Sequence, residues 1–194
     1  MGKYNHKSTM TTCVFITGTN AVGKSSVARA IIERCGGIDK VEGQVTYCKD
    51  GKTALAGSYL CKYGGVDRVT NSKGSSCTSE LPNVVERALQ NRSIVFCEGS
   101  FMNTFGLNLT NAMFKADKHL VINLYADART IWDRLNARSN GKNGQGRDFE
   151  KVLTRQRATA IAATKWHSIG VKTIQVDSSQ HTPQQIVDII YNAL

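Results

Sequence analysis

The sequence predicts an α/β fold, a mostly parallel sheet with helices on both faces, and three observations carry that prediction. Short apolar and β-branched runs alternate with helix-periodic stretches from about residue 12 to residue 192. The first run, Cys13-Val14-Phe15-Ile16, opens into a glycine-bearing turn and then a helical pattern. The composition suits a compact core: 194 residues, 41% hydrophobic, 21% charged and only 2 prolines. The expected organisation is a single domain over residues 1–194 with a hairpin insertion at about 44–62 and an Arg-rich lid at about 134–147.

In order, residues 1–11 read as a polar leader and Thr12–Thr17 as the first strand. A helix from about Lys24 to Arg34 follows, with Val27, Ala30, Ile31 and Ile32 on its core side, and Cys35-Gly36-Gly37 ends it. Gln44–Cys48 and Thr53–Leu60 flank Lys49-Asp50-Gly51-Lys52, a hairpin signal, and the ribbon is expected to cross over or project from the sheet. Ser79 is a candidate cap for a helix over about Leu81–Gln90, with Pro82 in its first turn. Ile94–Cys97 reads as a buried strand, Thr104–Ala116 as a helix weakened by Gly106, and His119–Tyr125 as a strand. Helices at Ala128–Ala137, Asp148–Ser168 and Pro183–Asn192, with a strand at Lys172–Val176, complete the alternation.

The chemistry centres on Thr17-Gly18-Thr19-Asn20-Ala21-Val22-Gly23-Lys24-Ser25-Ser26. Strand, glycine-bearing turn, Lys-Ser and helix form a P-loop, so the fold is of the P-loop NTPase (nucleotide kinase-like) class. Gly18 and Gly23 let successive N–H groups turn toward phosphate oxygens, and residues 20–26 form the cradle at a helix N-terminus. The expected ligand is ATP, with Lys24 on the β- and γ-phosphates and the Ser25 hydroxyl on Mg²⁺.

Glu98 closes the strand Ile94–Cys97, where a carboxylate can hold Mg²⁺ or act as a base. Asp67, in Gly64-Gly65-Val66-Asp67-Arg68, is a candidate general base for a substrate hydroxyl, and Arg68 a candidate grip on phosphate. Tyr63, Gly65, Asp67 and Arg68 form the candidate substrate-binding group. Arg134 and Arg138 share a helical face before a Gly/Asn-rich loop with Lys142 and Arg147, the pattern of a basic lid that neutralises transferring phosphate. Lys151, Arg155, Arg157, Lys165 and Trp166 read equally as a nucleic-acid track or a solvated helix face.

The formal net charge of +10 fits anionic substrates and raises DNA as a partner, although a merely basic surface is the alternative. The six cysteines, at 13, 35, 48, 61, 77 and 97, have no zinc-like spacing, and scattered thiols fit a reducing compartment. No run is long and apolar enough for a membrane span and the leader lacks a signal core, so the expected location is cytoplasmic. The GTPase Asn-Lys-x-Asp motif is missing, as is an apolar run ending in Asp-Glu. A GTPase and a motor ATPase core are therefore disfavoured, leaving phosphoryl transfer by a small kinase.

Taken in order, Gly18–Ser25, Lys62-Tyr63-Gly64-Gly65-Val66-Asp67, Phe96-Cys97-Glu98-Gly99 and Arg134/Arg138 resemble the small P-loop kinases of bacterial viruses. That group includes kinases of 5-hydroxymethyluracil in DNA. The resemblance implies ATP/Mg²⁺-dependent phosphorylation of a hydroxymethyl group on a pyrimidine within DNA, in base hypermodification. Val66 departs from the Cys expected before the Asp. Two rival readings stand beside it. One is a deoxynucleoside monophosphate kinase with Tyr63, Phe101 and Asn103 as base readers; the other is a non-catalytic nucleic-acid-binding module with a nucleotide switch.

Overall fold

The computed structural model describes residues 10–60, 64–74, 78–138 and 149–194. Among these residues seven strands form one sheet: β1 (Thr12–Thr17), β2 (Ile38–Glu42), β3 (Val45–Cys48), β4 (Thr53–Ala56), β5 (Ile94–Glu98), β6 (Lys118–Tyr125) and β7 (Lys172–Asp177). Their spatial order is β2-β3-β4-β5-β1-β6-β7. From β4 to β7 neighbouring strands are parallel, whereas β2, β3 and β4 pair antiparallel at one edge. β1 is buried along its whole length because it lies between β5 and β6 with helices on both faces, which is why it reads as an unbroken apolar run.

The helices are α1 (Lys24–Arg34), α2 (Leu81–Leu89), α3 (Leu107–Met113), α4 (Ala128–Arg138), α5 (Phe149–Ser168) and α6 (Pro183–Ala193). One core lies on the face carrying α1 and α6, where Val14, Ile16, Ile31, Phe96, Ile122 and Ile190 interlock. The other lies under α2 and α3, around Phe15, Val85, Met102, Met113 and Trp166. The helix α1 ends as its glycines predict: Gly36 and Gly37 have φ of 80° and 99°, and their N–H groups return to Glu33 and Ile32.

Several expectations are corrected. Of the hairpin expected at 44–62, β3 and β4 do not project but lie in the main sheet, with β4 parallel to β5 through Thr53↔Ile94 and Leu55↔Phe96, while residues 61 and 62 lie outside the described residues. An additional strand, β2, pairs with β3 through a turn in which Gly43 and Gln44 have φ of 55° and 66°. Ser79 is not the cap of α2; it sits in a 3-10 turn, and the N-cap position is Glu80 without a side-chain cap hydrogen bond. The helix expected over Thr104–Ala116 is confined to Leu107–Met113, preceded by a 3-10 turn at Ser100–Asn103.

Trp166 is fully buried, 5.5 Å from the Phe15 ring and 4.9 Å from the Phe105 ring, so it is core and not part of a nucleic-acid track. Lys151, Arg155, Arg157 and Lys165 are exposed. No helix among the described residues is long and apolar enough to cross a membrane.

Candidate active site

The sheet's topology puts the site where β1 and β5 end side by side, with Ile16 in register with Glu98. Beyond β1 the chain turns through the phosphate loop into α1. Gly18 has φ of 132°, and a Cβ there would stand 2.8 Å from Val22 and run into the Leu124 carbonyl, so only glycine fits. Gly23 has φ of 97° and begins the helix. Ala21, although not glycine, also has a positive φ of 65°, a strained residue inside the loop. Val22 is fully buried in the core, so it can offer a ligand only its backbone.

The Lys24 ammonium donates to the carbonyls of Gly18 (2.6 Å) and Thr19 (3.0 Å), which parks it across the loop. Burial lowers its pKa to about 8, against the opposing pull of Glu98 and Asp67. Glu98 is 2% exposed. Burial raises its pKa, while hydrogen bonding from Tyr59 and the charge of Lys24 hold it down. Its Oε1 accepts from the Tyr59 phenol at 2.9 Å and its Oε2 faces the Ser25 hydroxyl at 3.5 Å.

Asp67 approaches from the other side on a 3-10 turn, Val66–Arg68. Its carboxylate accepts from the Ser100 N–H (2.8 and 2.9 Å), the Ser100 hydroxyl (3.0 Å) and the Phe101 N–H (3.4 Å). Asn103, at the end of that same Ser100–Asn103 turn, accepts from the Gly18 N–H at 3.0 Å. One four-residue turn thus ties Asp67 to the phosphate loop. Asn103 is committed to this bond, which its expected role as a base reader did not anticipate.

A cavity of about 280 Å³ brings together Asn20, Ala21, Gly23, Lys24, Ser25, Asp67, Glu98 and Arg138. Gly65 packs against Glu98 behind it, and Ser26 and Arg68 are exposed. Arg134 lines a second cleft of about 260 Å³ with Arg138, Ser178 and His181. Its guanidinium donates to the Ala21 carbonyl (3.4 Å), the Ser178 hydroxyl (3.3 Å) and the Ser178 carbonyl (3.2 Å). Tyr63 and the lid beyond Arg138, with Lys142 and Arg147, lie outside the described residues.

The residues fit ATP and Mg²⁺. A buried lysine beside loop carbonyls can exchange those partners for phosphate oxygens, and Ser25 and Glu98 face each other as hard oxygen donors. No cluster of three or more His, Cys, Asp or Glu that could hold a metal occurs among the described residues. No local spacing signals Tyr59, Ser100, Asn103 and Ser178 in these roles, because their contacts span 33 to 85 residues of chain.

No protein-family model matches the chain. Two Pyrococcus proteins described as "Putative adenylate kinase" are similar along most of it. The one from Pyrococcus furiosus is 29% identical over 181 residues, 93% of this chain and 83% of the relative. The one from Pyrococcus abyssi is 27% identical over 177 residues, 91% and 81%. Among solved structures, the YorR protein of Bacillus subtilis in complex with phosphorylated GDP superposes with a TM-score of 0.58 at 15% identity, covering 94% of this chain and 95% of that one. Deoxyadenosine kinase from M. mycoides with bound dCTP gives 0.52 at 12% identity, covering 94% and 100%. The fold is that of the P-loop nucleotide kinases.

Proposed function

We propose that the chain transfers the γ-phosphate of ATP to a hydroxyl, and that the acceptor is the 5-hydroxymethyl group of 5-hydroxymethyluracil in DNA. The observation that carries the hydroxyl is the pair of carboxylates, Asp67 and Glu98, on the wall of the cavity facing the phosphate loop. A nucleotide monophosphate acceptor arrives as an anion and is served by cations on that wall. A hydroxyl arrives neutral and needs a group to take its proton.

In this reading the acceptor oxygen attacks the γ-phosphorus in line, its proton passes to Asp67, and ADP leaves. Lys24 and Arg138 stabilise the charge spreading over the transferred group, with Arg134 fixing the loop through Ala21. Ser25 and Glu98 would hold Mg²⁺, whose charge would offset that of the phosphates. The second cleft, with Val27, Pro183 and Ile186 on its apolar side and Ser178 and His181 as polar groups, suits the nucleoside of ATP. The net charge of +10 and the exposed Arg68 beside Asp67 support a polyanionic acceptor, as does the Gly64-Gly65-Val66-Asp67 resemblance.

A second reading, a kinase of free nucleosides or nucleotides, is favoured by the likeness to proteins described as adenylate kinases. The deciding experiment offers ATP labelled in its γ-phosphate together with DNA containing 5-hydroxymethyluracil, thymine DNA, and free deoxynucleosides and their monophosphates. Label in the hydroxymethyl DNA alone is the expected result. Label in free nucleotides alone overturns the DNA acceptor.

A further inference from the structure

Tyr59 belongs to no phosphate-binding motif, yet it touches both halves of the site. It is 3% exposed and follows β4, anchored where its N–H donates to the Thr46 hydroxyl at 3.2 Å. That hydroxyl in turn donates to the Gly57 carbonyl at 2.8 Å. The phenol donates to Oε1 of Glu98 at 2.9 Å, and the ring supports the glycine pair that leads to Asp67. A Cβ on Gly64 would stand 2.6 Å from the Tyr59 ring, and one on Gly65 would stand 2.5 Å from Glu98 Oε1.

A buried carboxylate without an anchor can turn about its terminal torsion and present either oxygen, or neither, to a metal. Fixing Oε1 with a phenolic donor leaves Oε2 facing Ser25, 3.5 Å away. In a site with little water, an O–H bond to a carboxylate is strong enough to define that orientation. We infer that Tyr59 is a positioning residue, which aims Glu98 at the Ser25 hydroxyl and so sets the affinity of the divalent cation that accompanies the nucleotide. This rests on the reading of Ser25 and Glu98 as the metal-holding pair.

The test uses the whole chain and binding of a non-hydrolysable ATP analogue, measured by calorimetry with and without Mg²⁺. The readout is the ratio of metal-free to Mg²⁺-containing Kd. Tyr59→Phe keeps the ring under Gly64 and removes only the donor. It is expected to lower the ratio about 10-fold, the usual effect of losing an outer-shell partner, and to leave the metal-free affinity within about two-fold. In a Glu98→Gln background, Tyr59→Phe is expected to change the ratio no further, because its effect runs through the carboxylate.

An unchanged ratio in Tyr59→Phe overturns the inference, and so does an equal drop in both backgrounds. A wild-type protein that transfers phosphate while its analogue affinity ignores Mg²⁺ overturns it as well. If Tyr59→Phe melts below the assay temperature, Glu98→Asp serves, since it withdraws the charge from the phenol by one methylene. A ratio equal to wild type then overturns the inference. Binding is read without turnover, so failure of every offered acceptor counts against the acceptor assignment and leaves the ratio to decide Tyr59.

Discussion

Gly65 is seated against the carboxylate of Glu98, so closely that a Cβ on Gly65 would lie 2.5 Å from Oε1. The contact is reciprocated one strand end away, where a Cβ on Gly99 would lie 2.8 Å from Oδ1 of Asp67. Each acid is thus lodged against a glycine next to the other acid. Gly65 has φ of 86° and Gly99 φ of 155°, conformations that side chains resist. The two carboxylates approach one cavity because neither glycine carries a side chain.

Gly65→Ala is therefore expected to fold with a loss of about 1–3 kcal/mol, because φ of 86° with ψ of −170° is a backbone conformation essentially confined to glycine. It also pushes the Glu98 carboxylate out of line, so phosphate transfer should fall by about 100-fold or more, as displacements of reacting groups by an ångström do. Thermal melting and steady-state transfer measured side by side check this. A variant that melts lower but transfers at the wild-type rate would remove Gly65 from the site.

Lys24 gives a pH dependence with a definite sign. In the free protein burial holds its pKa at about 8, below the ordinary lysine value of 10.5. Bound phosphate favours the charged form and raises that pKa. ATP affinity should accordingly be greatest below pH 8 and weaken as pH rises through it, with a proton taken up on binding in the region above 8. Calorimetry at pH 8.5 in two buffers of different ionisation heat measures the uptake. Lys24→Met should abolish both the uptake and transfer.

Asp67→Asn separates acid from scaffold. An amide oxygen still accepts from the Ser100 and Phe101 N–H groups, so the turn that carries Asn103 to Gly18 should persist. The proton acceptor is lost, however, and turnover should drop by about 100- to 10,000-fold while ATP binding stays within about three-fold. Single-turnover transfer and equilibrium ATP binding check the two halves. Near-full turnover would make Asp67 a structural cap of the Ser100–Asn103 turn and no base.

The parts of this picture that were legible in the sequence are those encoded by local pattern. The phosphate loop, the buried strand ending at Glu98 and the Asp50-Gly51 turn each announce themselves by glycine position and apolar runs. The strand β2 escaped because Ile38-Asp39-Lys40-Val41-Glu42 is an exposed sheet edge, with only Ile38 and Val41 half-buried. The sequence leaves open whether the hairpin crosses over or projects, because its turn fixes the pairing of β3 with β4 and says nothing of the parallel pairing of β4 with β5. Tyr59 on Glu98 and Asn103 on Gly18 are contacts between distant segments, and no spacing rule reports them. Arg134 lay on the face that was expected, yet its guanidinium is spent on Ala21 and Ser178, a choice set by the β7–α6 connection.

Trp166 illustrates how a correct pattern acquires a wrong meaning, and it supplies the last test. It follows Lys165 on α5, so in sequence it looks like an aromatic within a basic run, whereas the helix turns the lysine outward and the indole into the core. There it meets Phe15 and Phe105 edge-on, and its N–H has no hydrogen-bond partner among the described residues. Trp166→Ala should cost about 3–5 kcal/mol as an emptied core position. For a chain of this size each kcal/mol lowers the melting temperature by about 2–4 °C. Trp166→Phe should cost much less, because it keeps an aromatic edge and removes an unsatisfied buried donor. Arg155→Ala and Arg157→Ala together should leave melting unchanged, both side chains being exposed. If α5 carries DNA, the pair should also flatten the salt dependence of binding by about two counterions. Thermal melts and DNA titrations across a salt series read both effects. A stable, DNA-deficient Trp166→Ala protein would contradict the core assignment, and an unchanged salt slope in the arginine pair would assign that helix face to solvent.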